Sequence, residues 1–353
     1  MPRPTPRTIL ALLAALLLLP GLALAHDPEY TSEMDRDRCT FSPFSNNPHF
    51  PLWPGLVLEL EGEEEDDEEI VEIFLRISVL SDTEVVDGVR TRVYEEHEEE
   101  DGELVEVSRN FLAMCRETGD IWYFGEDVDD YEDGEIVGHE GAWRAGQDGA
   151  EAGILFPGSP LIGARFMQEM APGVAEDRAE ILGIEEDLTV PAGTFMGVVH
   201  ALDSAEDEPD GDDKYYAPGL GIIKDADVEL VDFTLPACIP DANTLCLADG
   251  RFRVEVDWAT EEEEGEGQAN QITDDSGEFW FFSPDNVEAL VKVLNACDVD
   301  PFNSFWVFAA GLTDVEVEIT VTDTVSEEMQ IYTNDLDTPF QPVLDVSAFE
   351  TCP

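Results

Sequence analysis

The chain has 353 residues, with 82 acidic against 17 basic side chains and a formal net charge of −65. A field of that sign repels nucleic-acid phosphates and anionic lipid surfaces, which excludes both as partners. Hydrophobic residues still make up 43% of the chain, enough to build packed cores rather than a disordered polyanion, and the length suggests about two domains.

The first element is a targeting segment. Arg3 and Arg7 precede an apolar run from Ile9 to Leu19, and Ala23-Leu24-Ala25 follows as a small-residue cleavage site. That is the anatomy of a signal peptide over residues 1–25, and Pro20-Gly21 breaks a run already short of the ~20 residues a membrane span needs. No later segment is apolar enough to span, so the expectation is an exported protein, secreted or periplasmic. Its six cysteines fit that compartment: Cys39, Cys115, Cys238, Cys246, Cys297 and Cys352 are even in number and lack zinc-binding spacing. Cys39 is expected to bond to Cys115, and the other four to pair among themselves in one of three ways.

From residue 39 to 233 the pattern is that of strands. Leu56, Leu58 and Leu60 alternate with polar residues, and so do Val71, Ile73, Leu75, Ile77 and Val79. Period two at these lengths predicts half-buried strands. Further strands are expected over 89–94, 103–114, 121–125, 165–170, 178–184, 194–202 and 221–233. The acid runs between them (EGEEEDDEE, EEHEEEDGE and SAEDEPDGDDK) are expected to be solvated turns.

Within this region DDYEDGEIVGHE, residues 129–140, has the acid and glycine spacing of a calcium loop, with Asp129, Asp133 and Glu140 as candidate ligands. Its flanks argue otherwise. IWYFGED is aromatic and β-prone and GAWRAGQDG is glycine-rich, so neither supplies the helix an EF-hand needs. The expectation is a hairpin with Gly134 at positive φ, its acidic tip able to hold calcium only weakly.

Residues 234–245 change character and are expected to be a linker. Beyond it, over 246–353, Phe252, Val254, Val256 and Trp258 alternate with charged residues, as do Val315, Val317, Ile319 and Val321. The predicted architecture is a β-sandwich. One short helix is expected in SPDNVEALVKVLNAC, with Ser283 as N-cap, Pro284 at the first turn, and Val287, Leu290, Val291 and Leu294 on one face.

LCLADGRFRVEVDW, GEFWFFSPDNVEALVKVLNAC and FWVFAAGLTDVEVEITVTDT resemble an uncharacterised module at the C-termini of exported bacterial proteins. NPHFPLWPG, DGAEAGILFPGSP and KYYAPGLGIIK resemble a second exported bacterial family without assigned function. More distantly, LTVPAGTFMGVVHAL followed by KYYAPGLGIIKDADVELVDF is similar to lipoprotein-carrier-like half-barrels. That last resemblance implies a curved antiparallel sheet over 39–233 that holds apolar cargo. The fold class expected overall is therefore mainly β: a half-barrel-like domain followed by a β-sandwich with one helix.

Catalytic motifs are absent. None of the five histidines stands in a zinc-binding spacing, PGSP at 157–160 is not a nucleophile elbow, and no phosphate-binding glycine loop occurs. The aromatic side chains Trp122, Phe124, Trp143, Phe156 and Phe166 read first as core and second as the lining of a ligand cavity. The expectation is a non-enzymatic exported binding protein for an apolar small molecule, without a cofactor. The alternatives are an envelope or extracellular structural module, steadied by calcium and partnered by another surface component, and a hydrolase using two of the carboxylates.

Overall fold

The computed structural model describes residues 29–66, 69–205 and 210–352; the signal-peptide segment 1–25 lies outside them. Antiparallel strands dominate. A single large sheet runs in the order Arg165–Met167, Arg178–Val190, Gly193–Ser204, Asp212–Ala217, Gly221–Asp225, Val228–Thr234, Val57–Asp66, Glu69–Val86, Val89–Glu100, Glu103–Cys115, Ile121–Glu132, Glu151–Phe156 and Glu169–Met170. Its first and last members belong to one stretch of chain, 165–170. That stretch pairs at its start with Arg178–Val190 and at its end with Glu151–Phe156, so the sheet curls until its edges nearly meet. The closing strand passes tightly over Gly153, where an added Cβ would lie 2.3 Å from the Gln168 carbonyl oxygen. Only glycine admits the closing strand at that distance.

Sequence sets the register locally. Val86↔Val89, Glu100↔Glu103 and Glu132↔Glu135 each flank an Asp-Gly pair, and all six turn residues have positive φ. Such two-residue turns match the twist of the strands they join and leave no slack for a slip. With the register fixed, Leu58 faces Ile77 and Leu60 faces Leu75 across the pair, with Leu58, Leu60 and Ile77 buried in the core of this lobe. The tip over 129–140 is one of these hairpins, as expected, with Asp133 and Gly134 at φ 53° and 76°.

The acid runs are not simple turns. EEHEEE continues the Val89–Glu100 strand, and EGEEED ends the Val57–Asp66 strand. Of SAEDEPDGDDK, residues 206–209 lie outside the described residues, and Asp212–Ala217 is a strand. The reason is cooperative: a strand flanked on both sides by partners stays extended whatever its side-chain charge, provided alternate residues find water or a polar interior.

A second core lies between two smaller sheets, each of five strands. One contains Phe252–Ala259 and Glu316–Asp323, the other Ala289–Ala296 and Ser304–Gly311. The short helix expected in 283–297 is not formed. Asn286 N–H donates to the Ser283 carbonyl in a turn, and Ala289–Ala296 is a strand paired with Ser276–Trp280 and Ser304–Gly311. Ala289, Val291 and Val293 face inward at period two, and this pattern overlaps the helical spacing over so short a span. Pairing on both edges and the stiffness of the valines at χ1 decide for the strand.

Three disulfides close the chain on itself: Cys39–Cys115, as expected, with Cys238–Cys246 and Cys297–Cys352. The lobes meet through buried charge. The Arg92 guanidinium donates to the carbonyls of Pro43 (3.1 Å) and Ser81 (2.7 Å) and reaches Asp249 across the boundary at 2.8 Å. An exposed pair adds to it: Arg90 reaches Asp274 at 2.6 Å.

Candidate functional site

The nearly closed sheet holds a half-open cavity of about 200 Å³, and its lining is polar. Two β-bulges aim the side chains. Between Asn110 and Leu112 the register with the Ile121–Glu132 strand slips by one residue, at Gly125 with φ 127°. Tyr123 and Glu126, three apart, then both point inward, where strict alternation would set them on opposite faces. A second bulge beside Tyr216 does the same for Ile222 and Asp225. From the Val89–Glu100 strand come Tyr94 and Glu96, and from Glu103–Cys115 come Glu106, Ser108 and Asn110. Below them Phe50, from the NPHFPLWPG loop, stacks obliquely on Tyr94 (5.5 Å) and Tyr216 (6.1 Å). Asn47 fixes this plug by donating to the Gly119 and Pro157 carbonyls and accepting from the amides of His49 and Phe50.

Seven carboxylates line the cavity (Glu96, Glu106, Glu126, Glu169, Asp177, Asp203 and Asp225) against one ammonium, Lys214. Lys214 Nζ lies 3.2 Å from Asp225 and 3.8 Å from Asp203. Burial works against its charge, but Asp225 and Asp203 more than offset that and hold its pKa well above the ordinary lysine value. The acids respond oppositely. Burial pushes Glu96 up to about 7, with Lys214 opposing and Asp225 and Glu106 adding to it. Burial likewise takes Glu126 to about 7 and Asp203 to about 6. Glu169 is driven well above the usual range by burial, reinforced by Glu126 and Asp177. With so few cations at hand, protons take the place of counter-ions.

The hydrogen bonds to Glu126 and Asp203 work the other way, each favouring the ionised form. The Tyr123 hydroxyl contacts both Asn110 Oδ1 and, at 3.0 Å, Glu126. The hydroxyl is shared between these two acceptors, and the bond it donates to Glu126 opposes the upward push of burial without overcoming it. Gln168 donates to Leu155 O (3.2 Å) and to Asp203 Oδ2 (3.1 Å). The other Asp203 oxygen is shut off from solvent and has no hydrogen-bond partner.

The aromatic side chains singled out from sequence stand elsewhere. Trp122, Phe124, Trp143, Phe156 and Phe166 are all buried in the core of the curved sheet. Trp122 and Phe124 pack edge-on against Phe41 (5.6 and 5.2 Å), and Trp143 against Tyr123 (5.4 Å). Phe156 packs behind the cavity, 4.7 Å from Tyr216. In the hairpin, Asp129 is taken by Arg109 (3.0 Å) and His139 (3.1 Å), Asp133 sits at the tip, and the Glu140 amide donates to Asp130. The three do not converge.

Among the described residues, the one group that brings three potential ligand atoms within 4.8 Å of one another is Cys39, Cys115 and Glu117, whose sulfurs are already bonded to each other. The cavity carboxylates are spread around a wall rather than gathered on a point. Also among the described residues, no helix is long and apolar enough to cross a membrane. Comparisons of the chain with protein-family models, with curated proteins and with solved structures gave no match.

Proposed function

We propose that this is an exported binding protein that holds a small organic cation, rich in hydrogen-bond donors, inside its curved sheet. The observation that carries the reading is the excess of seven carboxylates over one ammonium in a single half-open cavity. Asp203 adds a carboxyl that, among the described residues, is held only by Gln168 and a Lys214 ammonium 3.8 Å away. The polar lining favours such a ligand over the apolar cargo that the half-barrel resemblance implies. Size limits the ligand: about 200 Å³ is below the roughly 300–1,000 Å³ of pockets for drug-sized molecules. Dispersed carboxylates suit an extended amine better than a bare metal ion, which needs its ligands gathered at one point. Export is supported by the three disulfides, which persist in oxidising compartments.

The test is calorimetric titration with 1,4-diaminobutane at pH 7.5 in two buffers of different ionisation enthalpy, with CaCl₂ in parallel. The expected result is saturable binding of the diamine with release of protons, and weaker binding at pH 5, where the acids stay protonated. Absence of diamine binding, together with an apolar molecule extracted from the protein made in its own host, would return the cavity to apolar cargo.

One observation favours a second reading, a carboxylate hydrolase: Glu96 and Glu126 share the cavity and keep their protons up to about pH 7, as a general acid must. Hydrolysis abolished by both Glu96→Gln and Glu126→Gln would establish it.

A further inference from the structure

A separate cavity of about 360 Å³ lies between the two lobes. One wall is the end of the curved sheet, with Phe44, Met114 and Arg116; the other is the chain at Asp241 and Leu245 and the edge strand bearing Gln271 and Ile272. Both walls are pinned covalently where they face each other. Arg116 follows Cys115, bonded to Cys39, and Leu245 precedes Cys246, bonded to Cys238.

Arg116 stands apart from the other arginines. Among the described residues each of the others has a side-chain partner. That partner is a carboxylate for all but Arg178, which donates to Ser204 and Ala205 and lies over Tyr30. Among the described residues the Arg116 side chain has no ion pair, hydrogen bond or ring contact, and its Nε is shut off from solvent. Glu117 and Asp274 feel its charge without pairing with it. In a chain with 82 acids an arginine left single on a cavity wall is aimed at something from outside. Gln271 also lines the cavity, and its Oε1 is likewise enclosed and without a partner among the described residues. Asp241 lines the same cavity, and one of its oxygens accepts from the Asn243 amide at 2.8 Å.

We propose that this cleft binds a small zwitterion with an apolar side chain, an α-amino acid in form. Its carboxylate sits on Arg116, its ammonium on Gln271 and Asp241, and its side chain against Phe44, Met114, Leu245 and Ile272. A zwitterion, neutral overall, also escapes the repulsion that a chain of net charge −65 exerts on a free anion.

The test is calorimetric titration of the full disulfide-bonded chain with L-leucine, L-leucinamide and 4-methylpentanoate. Leucine is expected to bind saturably, and the two analogues, each missing one charge, to bind roughly tenfold or more weakly. Arg116→Gln loses the same factor for leucine. Because the side chain has no internal partner, this variant keeps the wild-type thermal midpoint without ligand. Arg76→Gln, an exposed position outside both cavities, leaves leucine binding unchanged. Equal binding of leucinamide, no saturable binding of leucine, or a lowered midpoint of Arg116→Gln in the absence of ligand would overturn the proposal, the last by showing that the guanidinium merely holds the lobes together.

Discussion

Asp323 in the sandwich lobe and Glu96 in the curved sheet are both carboxyls withdrawn from water, and they end in opposite states. The Asp323 side chain is 0% exposed. Burial pushes its pKa up, but the Arg251 guanidinium at 2.9 Å, the Thr351 hydroxyl and the Val325 amide together hold it down to about 2. Glu96 has a weak bond from Ser108 at 3.4 Å and a lysine shared with other acids, so burial wins and the pKa rises to about 7. A buried acid whose lone pairs are filled internally is a structural part. One whose neighbours are other acids is costly to ionise, and it persists where a ligand can supply the missing charge.

The sharpest way to break this contrast is to remove the partner of Asp323. Arg251→Gln strands a buried charge and is expected to cost about 3–5 kcal/mol, read by urea denaturation at pH 7. A loss below ~1 kcal/mol would mean that water reaches Asp323 and the pairing is ornamental.

The next effect is one of pH, and the two lobes should respond with opposite sign. Asp323 has a depressed pKa, so its contribution is complete above the unfolded value of about 3.8 and is lost as pH falls toward 2. Glu96 and Glu126 have raised values, so the ligand-free native state binds more protons than the unfolded chain between about 4.5 and 7. The curved-sheet lobe therefore loses stability as pH rises through that window, by ~1–3 kcal/mol for each group. Melting curves from pH 5 to 7.5 should show the fall, and the double variant Glu96→Gln, Glu126→Gln should flatten it. An unchanged slope in the double variant would place the cause in the general surplus of charge.

A smaller change tests the link between wall and bulge. Tyr123→Phe removes the hydroxyl between Asn110 and Glu126 and is expected to cost ~1–2 kcal/mol by thermal unfolding at pH 5. The smallest is the control on the outer face of the same sheet. Arg76→Gln, which breaks an exposed pair with Glu59, is expected to change stability by less than ~0.5 kcal/mol. A larger loss there would mean that acids outside the cavity matter as much as those within.

The site was only partly legible before the structure. The aromatic cluster drew attention because large apolar side chains are conspicuous, and it forms the core against which the Tyr216 side of the cavity is built. The acids that line the cavity were hidden among their own kind. EEHEEE reads as a solvated run, and the one clue to Glu96 is that the alternation set by Val93 and Tyr94 continues through it. Lys214 carried a similar clue, as one of three lysines in the chain. The helix expected at 283–297 failed because eight residues satisfy both periodicities and only the neighbouring strands could choose between them.

By itself the sequence determined what local rules decide: period-two strands, Asp-Gly hairpins with fixed register, the one at 129–140 among them, and the Cys39–Cys115 bond. The tertiary structure alone decided which acids face inward. Facing is a property of the bulges at Gly125 and Tyr216 and of the closure at Gln168, where the two edges of the sheet meet. A one-residue bulge reverses every side chain beyond it and leaves little trace in composition. Whether a carboxyl then keeps its proton depends on which charges the curled sheet brings around it, residues far apart in the chain that only closure makes neighbours.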